Sequence, residues 1–178
     1  NRKVKISYVS GAMAGRGDYR HFMLKEINEQ PTIFANIINS YYDRMRNMIL
    51  FPEADCNLAE YNKINIVACG TSYFAGLIAK YWFEEIAQIS IEIDIASEFK
   101  YRKNDCSIGQ LAIFISQSGE TADTLAALKK AKKAGAKTLS IVNSMESSMA
   151  RASDYIINIL AGPEIGVAST KAFTAQLM

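Results

Sequence analysis

Ser116-Gln-Ser-Gly-Glu-Thr121 lies between an apolar run, residues 111–115, and a run of helical character, residues 121–133. That order reads as strand, tight loop, helix N-terminus. A helix N-terminus leaves backbone N–H groups unpaired and carries the positive end of the dipole, so it holds an anion well. The serine and threonine hydroxyls add neutral donors that can wrap a phosphate. No lysine lies in the loop, which excludes a Walker-type nucleotide loop ending in Gly-Lys-Ser/Thr. A small phosphorylated metabolite fits better than a nucleoside triphosphate. Taken alone, the loop also fits an ordinary Ser/Thr helix cap with a turn glycine.

Working outward, strands and helices alternate. Residues 64–69 are an apolar run suited to a buried parallel strand. Residues 71–87 read as a helix with Tyr73, Leu77, Tyr81 and Trp82 near one face. Residues 91–95 alternate as an edge strand does. After the 121–134 helix, Gly135 sits where a C-cap belongs. Two further strands, 138–142 and 155–159, are joined by a short helix around 147–152. This alternation predicts a parallel sheet covered on both faces. Before it, residues 3–9 read as a short strand, and Gly11, Gly15 and Gly17 as a turn or linker. Residues 19–47 read as helical with a break at Pro31. There Ile33, Ile37, Ile38, Tyr41 and Tyr42 form one apolar face. Residues 51–61 read as loop with a turn of helix.

Cys69-Gly-Thr-Ser72 ends the first core strand and opens the first core helix, as Ser116–Thr121 does for its own pair. In open parallel sheets, ligands bind at the carboxyl ends of strands where the strand order reverses. Two hydroxyl-rich loops at such ends can converge on one ligand, which makes Gly70, Thr71 and Ser72 candidate contacts. Glu164-Ile-Gly-Val-Ala-Ser-Thr170 follows the last strand and again leads into a helix, 170–178. It is expected to close the pocket.

Composition narrows the function. The 178 residues suffice for one domain with a good core, and a net charge of +2 is too small to imply nucleic acid or an anionic membrane as partner. Three cysteines without a C-x-x-C pair argue against a disulfide framework and a structural zinc site, and for a reduced, cytoplasmic compartment. No apolar run approaches a bilayer span. The start at Asn1 and the stop at Met178 within a helical pattern suggest a piece of a longer protein. Glu120 and Asp123 are expected to complement a helix dipole rather than act as acid and base. Lys129, Lys130, Lys132 and Lys133 are expected to do the same at the other end of that helix. His21 is the single histidine and precedes the core, which leaves no Ser-His-Asp triad within the chain. Cys69 is expected to be a packed small hydrophobe.

At these residues the chain resembles the sugar isomerase (SIS) family of phosphosugar-binding domains. The resemblance rests on Tyr19-Arg-His-Phe-Met23, Lys25-Glu-Ile-Asn-Glu-Gln-Pro31, Cys69-Gly-Thr-Ser-Tyr73 and Ala96-Ser-Glu-Phe99. It continues through Ser116-Gln-Ser-Gly-Glu-Thr-Ala-Asp-Thr124 and Glu164-Ile-Gly-Val-Ala-Ser-Thr-Lys-Ala-Phe-Thr174. It covers residues 19–178 as a first SIS domain cut short at its C-terminus, and residues 1–18 resemble the tail of a preceding glutaminase domain. It implies a three-layer αβα sandwich around a five-stranded parallel sheet. It implies Ser72, Ser116, Gln117, Ser118 and Thr121 as phosphate ligands, and Val167 as lining the sugar site. The implied reaction makes glucosamine 6-phosphate from fructose 6-phosphate and glutamine in a homodimer, with no metal or other cofactor. The acid–base groups are implied to lie beyond Met178, so none is carried over onto this chain. Two other readings remain: a non-enzymatic SIS module that senses a phosphosugar, and a generic nucleotide-binding α/β domain. Against the latter, no G-x-G-x-x-G follows any predicted strand.

Overall fold

A computed structural model describes residues 15–52, 54–103 and 106–178. The expected strand at 3–9 and Gly11 lie outside the described residues. Helix α1 (Phe22–Tyr41) leads into a two-stranded antiparallel ribbon, β1 (Tyr42–Asp43) and β2 (Met48–Ile49). The main sheet and its helices follow: β3 (Lys63–Ala68), α2 (Gly70–Trp82), β4 (Ile91–Ile95) and α3 (Ala96–Phe99). Then come β5 (Gln110–Ser116), α4 (Ala122–Lys133), β6 (Lys137–Val142), α5 (Ser148–Ala152), β7 (Tyr155–Asn158) and α6 (Lys171–Leu177).

The five long strands pair in parallel in the order β4-β3-β5-β6-β7. β5 is central, and its side chains divide between two cores. Ala112 and Phe114 pack with Phe99, Leu128 and Met149 under α3, α4 and α5. Leu111, Ile113 and Ile115 pack with Ile64, Ile66 and Leu139 on the opposite face. A strand buried on both faces reads as a continuous apolar run, which is why β3 and β5 were legible. The expected three-layer αβα sandwich is found. The order reverses between β3 and β5: the chain steps outward to β4, then returns to the other side of β3. Ligand crevices form at such a reversal, outside the carboxyl ends of the two strands.

Four expectations are corrected. Pro31 does not break α1, which runs through it. Proline removes the N–H that would reach Ile27 O, and the Gln30 side chain supplies a substitute donor to that carbonyl at 3.0 Å. The helix stops at Tyr41 rather than running toward Asn47, because Asp43 Oδ1 accepts from the Met45 and Arg46 N–H groups and competes with helical pairing. Ile33 and Ile37 are buried, but Ile38 and Tyr42 stay exposed. In α2 the buried face is Ser72, Ala75 and Gly76, not the predicted aromatic stripe, and Tyr81 and Trp82 are exposed. The helix lies so close to β3 that a Cβ at Gly76 would stand 3.0 Å from Ile66 Cγ2. Small residues therefore face the sheet. Among the described residues, no helix is long and apolar enough to cross a membrane.

Candidate functional site

β3 and β5 end side by side, and each leads at once into a helix. The N-caps of these helices, Cys69 for α2 and Thr121 for α4, make no side-chain capping hydrogen bond. Two sets of unpaired N–H groups therefore open at the same place. Between them lies a cavity of about 160 Å³ lined by Cys69, Ser72, Ile115, Ser116, Gln117, Ser118, Thr121 and Thr124. The fold thus brings together Ser72, Ser116, Gln117, Ser118 and Thr121. Gly70 and Thr71 open α2 beside the cavity, exposed and outside its lining. Val167 is fully exposed on the third loop and does not reach the lining either.

The loop is held by its own hydroxyls. Gly119 N–H donates to Ser116 Oγ at 3.1 Å, and Glu120 N–H donates to Ser118 Oγ at 3.2 Å. Ser116 Oγ and Thr121 Oγ1 share a hydrogen bond of 3.1 Å. From outside this lining, Gln176 Nε2 on α6, a residue that lines the larger cavity on the α1–α2–α6 side, donates to Ser72 Oγ at 3.1 Å. Gly119 adopts φ +66°, and a Cβ there would collide with Ser147, at 2.1 Å from Oγ and 2.5 Å from Cβ. The loop is also tied to the next elements, with Asn143 N–H donating to Gln117 O and Met149 N–H to Gly119 O, both at 3.1 Å.

The charges nearby are turned away from the cavity. Glu120 accepts from the Ser148 N–H at 2.7 Å, and that backbone bond, followed by the Ser148 hydroxyl, holds its carboxyl below the ordinary range. Asp123 pairs with Lys100 at 2.6 Å. Both carboxylates have partners on neighbouring elements, and Asp123 stands in the first turn of α4 with Lys130, Lys132 and Lys133 in its last, the placement expected for complementing the dipole. The basic residues behave likewise. Lys130 Nζ donates to the carbonyls of Phe99, Lys100 and Arg102 at 3.0, 3.2 and 2.5 Å, and Lys132 Nζ donates to Ala152 O at 2.6 Å. These lysines cap the C-terminal ends of α3 and α5. Cys69 packs partly buried against the core, as expected.

Sequence reasoning missed Thr124. It is fully buried, lines the cavity, and its hydroxyl has no hydrogen-bond partner. Its spacing was a usable signal, since three residues after Thr121 places it on the same helix face. The third loop is anchored from α1: Glu26, buried, accepts from Ile165 N–H at 2.6 Å and Gly166 N–H at 3.1 Å. Glu164 accepts from Thr170 N–H at 2.9 Å and Ala172 N–H at 3.2 Å, capping α6.

A larger cavity of about 500 Å³ lies on the α1–α2–α6 side of the sheet. Its walls are mostly apolar, including Ile37, Phe51, Trp82, Ile113 and Met178, with Tyr41, Tyr42, Asn158 and Gln176 among the few polar side chains. The small polar cavity is the one equipped to bind an anion.

Residues 57–178 match the SIS domain family model. A glutamine–fructose-6-phosphate aminotransferase (isomerizing) of Zymomonas mobilis is 51% identical over 99% of this chain and 29% of its own length. The corresponding protein of Mesorhizobium japonicum is 50% identical with the same coverage. The chain thus spans less than a third of the length of these curated relatives. Among solved structures, the C-terminal domain of glucosamine-fructose-6-phosphate aminotransferase from Francisella tularensis superposes with a TM-score of 0.84. It is 46% identical, with 92% of this chain and 46% of that one covered. A glucosamine-6-phosphate deaminase of Thermotoga maritima shares the fold, with a TM-score of 0.70 at 24% identity, 88% of this chain and 46% of that one being covered.

Proposed function

The chain belongs to the SIS domain family, and from that premise we propose that its small polar cavity binds the phosphate of a hexose phosphate. The reading extends to the reaction of its relatives: residues 19–178 form the first phosphosugar-binding domain of an enzyme making glucosamine 6-phosphate from fructose 6-phosphate and glutamine. Residues 1–18 then belong to the end of a preceding glutaminase unit, and the working protein is a cytoplasmic homodimer. The carrying observation is the convergence of two uncapped helix N-termini and the hydroxyls of Ser72, Ser116, Ser118 and Thr121 on one cavity.

The chemistry follows from what these groups can do. A phosphate in the cavity meets unpaired N–H groups of α2 and α4 and hydroxyl donors between them. Among the described residues no cation lines the cavity, so the dipoles of α2 and α4 and neutral donors supply the attraction. Gln117 adds amide donors. Thr124 has a hydroxyl with no other use. Anchoring the phosphate fixes the sugar's far end, so binding energy from a group that does not react orients the carbons that do. Val167, carried on the anchored third loop, contacts the sugar. Moving a proton between adjacent carbons requires a positioned acid and base, and these are supplied from outside this chain.

The test is an assay of glucosamine 6-phosphate formation from fructose 6-phosphate and glutamine. The longer polypeptide that contains this sequence is expected to turn over and to lose activity on Ser116→Ala. The 178-residue chain alone is expected to show none. A longer polypeptide that binds fructose 6-phosphate but never converts it would instead favour a phosphosugar sensor.

A further inference from the structure

Three serines at the cavity share one arrangement. Each hydroxyl oxygen accepts a hydrogen bond from the protein, which leaves its own proton to be given elsewhere. For Ser116 and Ser118 the donor behind the oxygen is a backbone N–H of the same loop. For Ser72 it is a side chain, Gln176 Nε2, 104 residues further along the chain and on another helix. We propose that Gln176 is a positioning residue for the anion site: by occupying the acceptor side of Ser72 Oγ, it turns the Ser72 proton into the cavity. This inference rests on the phosphosugar reading above.

A serine hydroxyl has one donor and two acceptor positions and rotates freely between them. Left alone in a first helical turn, it can donate back to a carbonyl of the preceding turn, and that proton is then lost to a ligand. An amide N–H on one lone pair restricts the rotor and polarises the O–H bond, which strengthens it as a donor. Gln176 is itself firmly placed. α6 is tied to α1 by Lys171 Nζ to Glu29 at 2.7 Å, with Lys171 buried, and by Thr174 Oγ1 to Gln30 at 2.9 Å. Its first turn is capped by Glu164. The Gln176 amide otherwise faces the mostly apolar lining of the larger cavity. Its Oε1 is buried with no hydrogen-bond partner, an arrangement uncommon enough to call for a reason beyond packing. The reason offered here is that the amide is oriented by its donor side toward Ser72. The geometry also links the third loop to the phosphate cavity through one short helix.

The test is a titration with fructose 6-phosphate of four proteins: the unaltered chain, Gln176→Met, Ser72→Ala and the double variant. Gln176→Leu runs beside Gln176→Met in case one apolar replacement does not fold, with folding checked by circular dichroism. Gln176→Met is expected to weaken binding about tenfold, the loss of roughly one charge-assisted hydrogen bond. In the Ser72→Ala background the same change is expected to have no further effect. A residue that only stabilised the fold would weaken binding equally in both backgrounds, and that result overturns the proposal. So does binding by Gln176→Met within about twofold of the unaltered chain, a difference at the limit of additivity errors. If the unaltered chain fails to bind, the phosphosugar reading falls and this inference with it; binding lost only in the variants separates the two.

Discussion

Replacing Gly119 by alanine tests whether the anion loop has the backbone described here. Gly119 stands at φ +66°, in the left-handed region, where an added Cβ costs about 1–2 kcal/mol. The same Cβ would lie 2.1 Å from Ser147 Oγ and 2.5 Å from Ser147 Cβ, with Val142 Cγ1 at 3.3 Å. Rotating the Ser147 side chain relieves only the first overlap and gives up the cap that Ser147 Oγ makes to Ala150 N–H at 3.2 Å. The Cβ overlap remains and forces the backbone to move, an overpacking strain of about 1–3 kcal/mol. Together these give a destabilisation near 3 kcal/mol, or roughly 6–12 °C in Tm for a chain of this length. Urea denaturation followed by circular dichroism measures the first quantity and a thermal scan the second. Adding Ser147→Gly should recover the steric part, less about 1 kcal/mol for the lost cap. A Gly119→Ala protein within about 0.5 kcal/mol of the parent, the range of ordinary surface substitutions, would refute this account of the loop.

Other perturbations follow from the same geometry. Lys130→Met removes the donor shared by three carbonyls at the end of α3, and urea denaturation should show a loss of about 2 kcal/mol. Burial pushes the Asp154 carboxyl up, but the Thr138 hydroxyl and N–H and then Lys132 outweigh it, so its folded pKa lies below the ordinary value. Its contribution is therefore fully present above about pH 4 and lost as pH falls through the folded pKa. Denaturation curves from pH 7 to 2 should show Asp154→Asn flattening that acid limb. Glu26→Ala leaves the Ile165 and Gly166 N–H groups without their carboxylate, and both amides should lose protection in hydrogen exchange while β5 keeps its own.

The parts of the fold legible in the sequence are those where one interaction dominates. β3 and β5 are buried on both faces, so their apolar runs had one reading, and the loops after them carried hydroxyls in an order that placed Ser72, Ser116 and Thr121 at one cavity. The buried face of α2 was hidden because contact with Ile66 selects for the smallest residues, and the bulky ones that draw the eye face outward. The continuity of α1 through Pro31 depends on one side-chain amide that replaces a backbone donor, which no periodicity reports. The charged residues around α4 showed where charge lies but not which partner it meets. Glu120 reaches α5 and Lys130 reaches the end of α3 because the third dimension brings those ends close. Gln176 lies 104 residues from Ser72, and nothing local connects them.

The most direct measurement is a calorimetric titration of the chain with fructose 6-phosphate, run beside fructose and AMP. The account predicts saturable binding of the phosphosugar alone, with Ser118→Ala weakening it about tenfold through the loss of one donor to a charged oxygen. Equal binding of fructose, or no binding of the phosphosugar by a chain shown to be folded, would contradict the claim that the cavity between β3 and β5 is an anchor for its phosphate.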